Sequence, residues 1–136
     1  MKNNFEKAYS DFIKTVDNFQ TVREIQNPCS VVSQAGIIRL FEICCDCTYI
    51  FIKNFLEYQG YFLPITASPQ MFVDTACNCG LIADSNLWLN ILETRNALAH
   101  IYDEELALAA IKKILSEYIP AFEELKKNID ENWLNV

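Results

Sequence analysis

The chain is sparing with the residues that interrupt helices: three glycines and four prolines in 136 residues. It has one histidine, and no uncharged apolar run reaches the ~18 residues that a membrane-spanning helix needs. No alternating strand pattern, internal repeat or low-complexity segment interrupts it. Positive charge is also scarce. Eleven basic residues face 18 acidic ones, a net charge of −7, which repels nucleic-acid backbones at long range and argues against DNA as a partner. Met1-Lys2-Asn3-Asn4 opens the chain with no apolar run behind it, so no signal peptide is expected. The expected location is cytoplasmic, with the six cysteines reduced.

What is present suits a packed helical protein. Hydrophobic residues make up 51%, with nine Phe and six Tyr spread along the chain, a composition that argues against disorder. The length fits a single domain, residues 1–136, with one core. Phe5, Ala8, Tyr9, Phe12, Ile13, Val16 and Phe19 recur at helical spacing over 3–24, opposite Lys7, Ser10, Asp11, Lys14 and Asp17. Asn27-Pro28 breaks that pattern. A second, longer helix is expected from about Ser30 to Tyr58, roughly 40 Å long and apolar on more than one side. It belongs at the centre of a bundle or across a subunit interface, with Gly60 ending it.

After a loop over 61–67, Ser68-Pro69 reads as an N-cap with proline at the first helical position. A short helix follows and stops at Gly80. Asp84 or Ser85 caps a fourth, which places Leu87, Trp88, Ile91 and Leu92 on one face. Asp103-Glu104-Glu105 opens the last helix, where the dipole favours acidic side chains. Pro120 lies inside its apolar pattern and is expected to kink it. The expected architecture is all-α: an up-and-down bundle of about five helices.

The cysteines, at 29, 44, 45, 47, 77 and 79, show C-x-C spacings, whereas paired zinc ligands usually sit as C-x2-C on a turn. They read as small buried hydrophobes. Acidic clusters at 103–105, 123–124 and 130–131 lack calcium-loop spacing and read as dipole-complementing or solvated charges. No metal site and no cofactor is expected.

The polar chemistry gathers in Arg95-Asn96-Ala97-Leu98-Ala99-His100-Ile101-Tyr102, which holds the one histidine. An imidazole that titrates near neutral pH, close to a permanent guanidinium, can move protons at a phosphodiester. Asn96 and His100 are four apart and share a helical face, so the amide can orient the ring. Arg95 and His100 are five apart and diverge by roughly 140° on a straight helix. They converge on one phosphate only if the helix ends between them or a second copy completes the site, which points to a dimer. The architectural alternative stays open: His100 satisfying helix C-terminal carbonyls, Arg95 pairing with Glu93 or another acid, and Tyr102 packing between helices.

The Arg95-Asn96…His100-x-Tyr102 pattern resembles the signature of the HEPN superfamily. More closely, Leu40 to about Leu125 is similar to the nucleotidyltransferase substrate-binding proteins, also called HepT-like. The landmarks are Phe41-Glu42, Phe55-Leu56-Glu57-Tyr58-Gln59-Gly60, Ser68-Pro69, Gly80-Leu81-Ile82, Trp88, Arg95-Asn96 and His100-Ile101-Tyr102-Asp103-Glu104-Glu105. The resemblance implies a homodimeric bundle of about five helices, bound to a minimal nucleotidyltransferase encoded beside it. Many HEPN members are metal-independent endoribonucleases, acting as toxins that the nucleotidyltransferase partner neutralises; in HepT-type pairs the partner adds adenylate groups to the motif tyrosine, here Tyr102. His100 would then be general acid or base at the RNA 2′-hydroxyl, with Arg95 stabilising charge on the phosphorus oxygens and Asn96 orienting the histidine. The alternatives are a non-catalytic nucleotide-binding companion and a purely structural helical interaction protein.

Overall fold

A computed structural model describes residues 2–28, 30–100 and 103–133, with Lys2–Asn4 and His100 described by backbone alone. The elements are α1 (Lys2–Gln20), a 3-10 turn (Thr21–Glu24), α2 (Val31–Tyr58), α3 (Pro69–Asn78), α4 (Ser85–His100), α5 (Glu104–Lys113) and α6 (Ile119–Asn132). A π turn over Ile114–Tyr118 joins α5 to α6, so the chain folds as an all-α bundle of five helical rods. Among the described residues no helix is long and apolar enough to cross a membrane.

The helix ends follow from local chemistry. The Ser30 hydroxyl accepts from the Ser33 amide at 3.1 Å, and the Ser68 hydroxyl from the Met71 amide at 3.1 Å, each satisfying a donor that the first turn leaves open. Asp84 is the cap of α4, accepting from the Leu87 amide at 3.1 Å. The Asp103 carboxylate accepts from Glu105 and Leu106 at the start of α5. At the end of α2, Gly60 (φ +93°) lets the Tyr61 amide reach the Leu56 carbonyl at 2.8 Å and its own amide reach Glu57. Gly80 (φ +85°) repeats this closure on α3, with the Leu81 amide on Ala76.

The α2 helix is the central element and packs on α1, α4 and α5. Ala8, Phe12, Val16 and Phe19 from α1 meet Phe41, Cys44, Phe51 and Phe55 from α2 in one contiguous core. Phe12 stacks on Phe51 with centroids 4.9 Å apart, and Phe122 of α6 makes T-shaped contacts with Phe19 and Trp88. The disturbance expected at Pro120 takes the form of the π turn just before it rather than a break. A widened turn holds the preceding carbonyls clear of the pyrrolidine ring, so the helix continues where a regular one would clash. It also leaves Tyr118 fully buried, stacked on Phe41.

Candidate functional site

Arg95 leaves α4 toward α2, where Glu42 and Asp46 stand four residues apart on one face. Its Nη1 lies 3.0 Å from Glu42 Oε2. Its Nε and Nη2 donate to the Asp46 oxygens Oδ1 and Oδ2, both at 3.2 Å. About a fifth of the Arg95 and Glu42 side chains is exposed (22% and 19%), against 56% for Asp46. The hydrogen bond to Asp46 raises the Arg95 pKa above its already high ordinary value, and the charges of Asp46 and Glu42 add to this against the opposing effect of burial. The cation is therefore permanent. One guanidinium against two carboxylates also leaves the group one negative charge in excess.

This arrangement resolves the partner of Arg95. The acids come from α2 rather than from Glu93 on the same helix. Asn96 is exposed beside Arg95. The His100 side chain and all of Tyr102 lie outside the described residues, so Arg95 and Asn96 are the two motif side chains that the structure brings together. Glu42 and Asp46 were not singled out from sequence as functional. Their signal was available as an acid pair at i, i+4 on one face of the long helix.

Arg95 and Asn96 stand at the edge of a cleft of about 990 Å³. It runs between the second half of α2, the 61–68 loop, the start of α3 and the end of α4. Tyr49, packed on Phe72 at 4.7 Å between ring centroids, forms part of its wall, with Leu92 and Lys53 alongside. Of the nine exposed large hydrophobic side chains among the described residues, seven fall between Tyr49 and Met71 in sequence, and three of these, Tyr49, Ile50 and Ile65, line this cleft. Apolar side chains left in water at one cleft suit it to an apolar partner group.

Behind the ion pairs lies a second polar contact between helices. The Tyr118 hydroxyl meets Thr94 Oγ1 at 2.8 Å and the Asn90 carbonyl at 3.4 Å.

Cys44 and Cys45 are buried and Cys47, Cys77 and Cys79 half-buried, all free, so the expectation of wholly buried thiols holds for the first two; Cys29 lies outside the described residues. Burial pushes the Cys44 thiol up to about 12 and Cys45 well above its ordinary value, and raises Cys47 and Cys79 as well. Among the described residues no three His, Cys, Asp or Glu side chains group as metal ligands.

Comparison with known proteins fits this architecture. The family model for nucleotidyltransferase substrate binding protein-like chains matches residues 2–131, and the chain belongs to that family. The crystal structure of a Thermus thermophilus protein superposes with a TM-score of 0.73 at 23% identity, covering 87% of this chain and 98% of its own, and shares the fold. Among curated proteins no match was found.

Proposed function

We propose that this member of the nucleotidyltransferase substrate-binding family is the companion subunit of a minimal nucleotidyltransferase, a HepT-like HEPN protein of a toxin–antitoxin-type pair. The observation that carries this reading is the set of exposed hydrophobic side chains between Tyr49 and Met71, of which Tyr49, Ile50 and Ile65 line the cleft that Arg95 and Asn96 also line. A chain of net charge −7 that keeps such a surface in water is better suited to a protein partner than to a polyanion. In this reading the partner docks over the cleft and adenylylates Tyr102, and a second copy of the chain completes the motif.

The ribonuclease reading assigns Arg95 to the phosphorus oxygens, His100 to proton transfer and Asn96 to orienting His100. It is supported by Arg95 standing at an accessible cleft. The pairing of Arg95 with Glu42 and Asp46 sets a condition on it: a phosphate must displace at least one carboxylate to be bound bidentately.

Both parts are tested by expressing the chain without and with the nucleotidyltransferase encoded beside it. Co-purification should be lost in a Phe62→Asp/Ile65→Asp variant that keeps its helical signal. Growth arrest and RNA cleavage by the chain alone should disappear in Arg95→Ala and His100→Ala. Intact RNA and normal growth with the wild type remove the ribonuclease reading, and undiminished capture by the double variant removes the docking surface.

A further inference from the structure

We infer that Tyr118 is a positioning residue for Arg95, acting through Thr94. The inference rests on the reading of Arg95 as a functional side chain. Tyr118 is fully buried, yet its hydroxyl reaches Thr94 Oγ1 at 2.8 Å and the Asn90 carbonyl at 3.4 Å, the turn of α4 immediately before Arg95. Its ring stacks on Phe41, with centroids 5.7 Å apart and planes 17° from parallel, and Phe41 immediately precedes Glu42 on α2. Two links therefore join α2 to α4 side by side. Phe41, Tyr118 and Thr94 make the inner one, and Glu42 and Arg95 the outer one.

The inner link fixes what the outer one needs. The Arg95 side chain meets carboxylates from a different helix, so its geometry depends on how α4 is rotated and spaced against α2. A buried hydroxyl bonded to one turn of α4 sets that rotation at the turn where Arg95 begins. The apolar contact needs no hydroxyl, since a phenylalanine would fill the same volume against Phe41. The oxygen is retained inside the core, where it must find a partner, and its partner is the residue before Arg95. The π turn that holds Tyr118 is what aims it. Its extra residue per turn shifts the register of Ile114–Tyr118 relative to a regular helix, and such turns recur at functional sites.

Arg95, Arg23 and Arg39 are the only arginines in the chain, so a guanidinium-selective dicarbonyl reagent such as phenylglyoxal reports on each of them, located by peptide mass spectrometry. In the full-length wild type Arg95 should react more slowly than exposed Arg39. In Tyr118→Phe and in Thr94→Val the Arg95 rate should rise about threefold or more relative to Arg39, as loss of one buried hydrogen bond implies. Thr94→Ser, which keeps the hydroxyl, should restore the wild-type rate, and Glu42→Gln should mark the behaviour of an arginine with a weakened clamp. Arg23, held by Glu123 on another face, serves as the reference for global loosening and should not change. An unchanged Arg95 rate in both hydroxyl-deleted variants overturns the inference, as does a parallel rise at Arg23 and Arg95. If Tyr118→Phe fails to fold, the contrast between Thr94→Val and Thr94→Ser decides. Partner capture and RNA integrity, measured separately on the wild type, test the functional reading, so that its failure is distinguished from a failure of the Tyr118–Thr94 link.

Discussion

Arg95 and Glu42 meet across the seam between α4 and α2 at 3.0 Å, with only about a fifth of either side chain open to water (22% and 19%). A pair so shielded is screened less by salt than an exposed one, and Asp46 adds a bidentate contact on its wetter side. We expect Glu42→Gln and Asp46→Asn each to cost no more than about 1 kcal/mol in urea unfolding, since each leaves Arg95 one carboxylate. We also expect both to strengthen binding of inorganic phosphate at Arg95, because the competing anion is halved. Titration of phosphate against phenylglyoxal protection of Arg95 measures this. Equal protection in wild type and both variants would show that the carboxylates do not compete for the guanidinium.

The caps were legible in the sequence because they are local. Ser68-Pro69, Asp84 and Asp103 each act within three residues, and Gly60 and Gly80 each close the helix they follow. The partners of Arg95 were not, because Asp46 is 49 positions away and reaches it only through the packing of α4 on α2. Sequence spacing offered Glu93, a neighbour along the helix, while tertiary contact supplied acids across it. Pro120 illustrates a second limit. Its missing amide foretells a disturbance, but whether the helix breaks, bends or widens depends on what the preceding turn packs against. Here Tyr118 against Phe41 and Thr94 accompanies widening. One acid in each of the later two acidic clusters has a structural partner. Glu123 binds Arg23 and Gln20, and Asp130 accepts from the Tyr9 hydroxyl at 2.6 Å.

Thiol reactivity should divide along burial. With Cys44 pushed up to about 12, its thiolate fraction at pH 8 is on the order of one in ten thousand, and burial raises Cys45 well above its ordinary value too. Iodoacetamide at pH 8 should leave Cys44 and Cys45 unmodified in the native protein and alkylate both in urea. Rapid native labelling of Cys44 would contradict the packing of α2 on α1, and of Cys45 its packing beneath α3 and α4.

The Arg23–Glu123 pair makes a small, signed contribution to pH dependence. Hydrogen bonding from Arg23 is the largest cause holding the Glu123 carboxyl below its ordinary pKa, with Gln20 assisting. A depressed carboxyl contributes stability above its unfolded value of about 4.3, and that contribution is lost as pH falls through the lower folded value. With 43% and 32% of the two side chains exposed, solvent screening reduces the effect to a few tenths of a kcal/mol, by rough estimate. Glu123→Gln should therefore lower the urea midpoint slightly at pH 7 and make no difference near pH 2. A larger deficit in acid than at neutrality would reverse the sign and refute the assignment.

The glycines supply a contrast of sign within one chain. An added Cβ meets nothing within 4 Å at Gly36, Gly60 or Gly80, so sterics against neighbours do not distinguish them. Backbone conformation does. Gly60 and Gly80 sit at φ +93° and +85°, where a side chain strains the backbone, and each closes the end of a helix through the next residue's amide. Gly36 lies exposed inside α2 with ordinary helical geometry, where glycine costs entropy on folding. Gly60→Ala and Gly80→Ala should each destabilise by about 1 kcal/mol, and Gly36→Ala should stabilise by about 0.5–1 kcal/mol. For a chain of this size, 1 kcal/mol moves the thermal midpoint by roughly 3 °C, so calorimetry separates the two signs. The outcome that would sink this account is a shift of the same sign at all three positions, since space alone treats them alike and only the dihedral angle sets Gly36 apart.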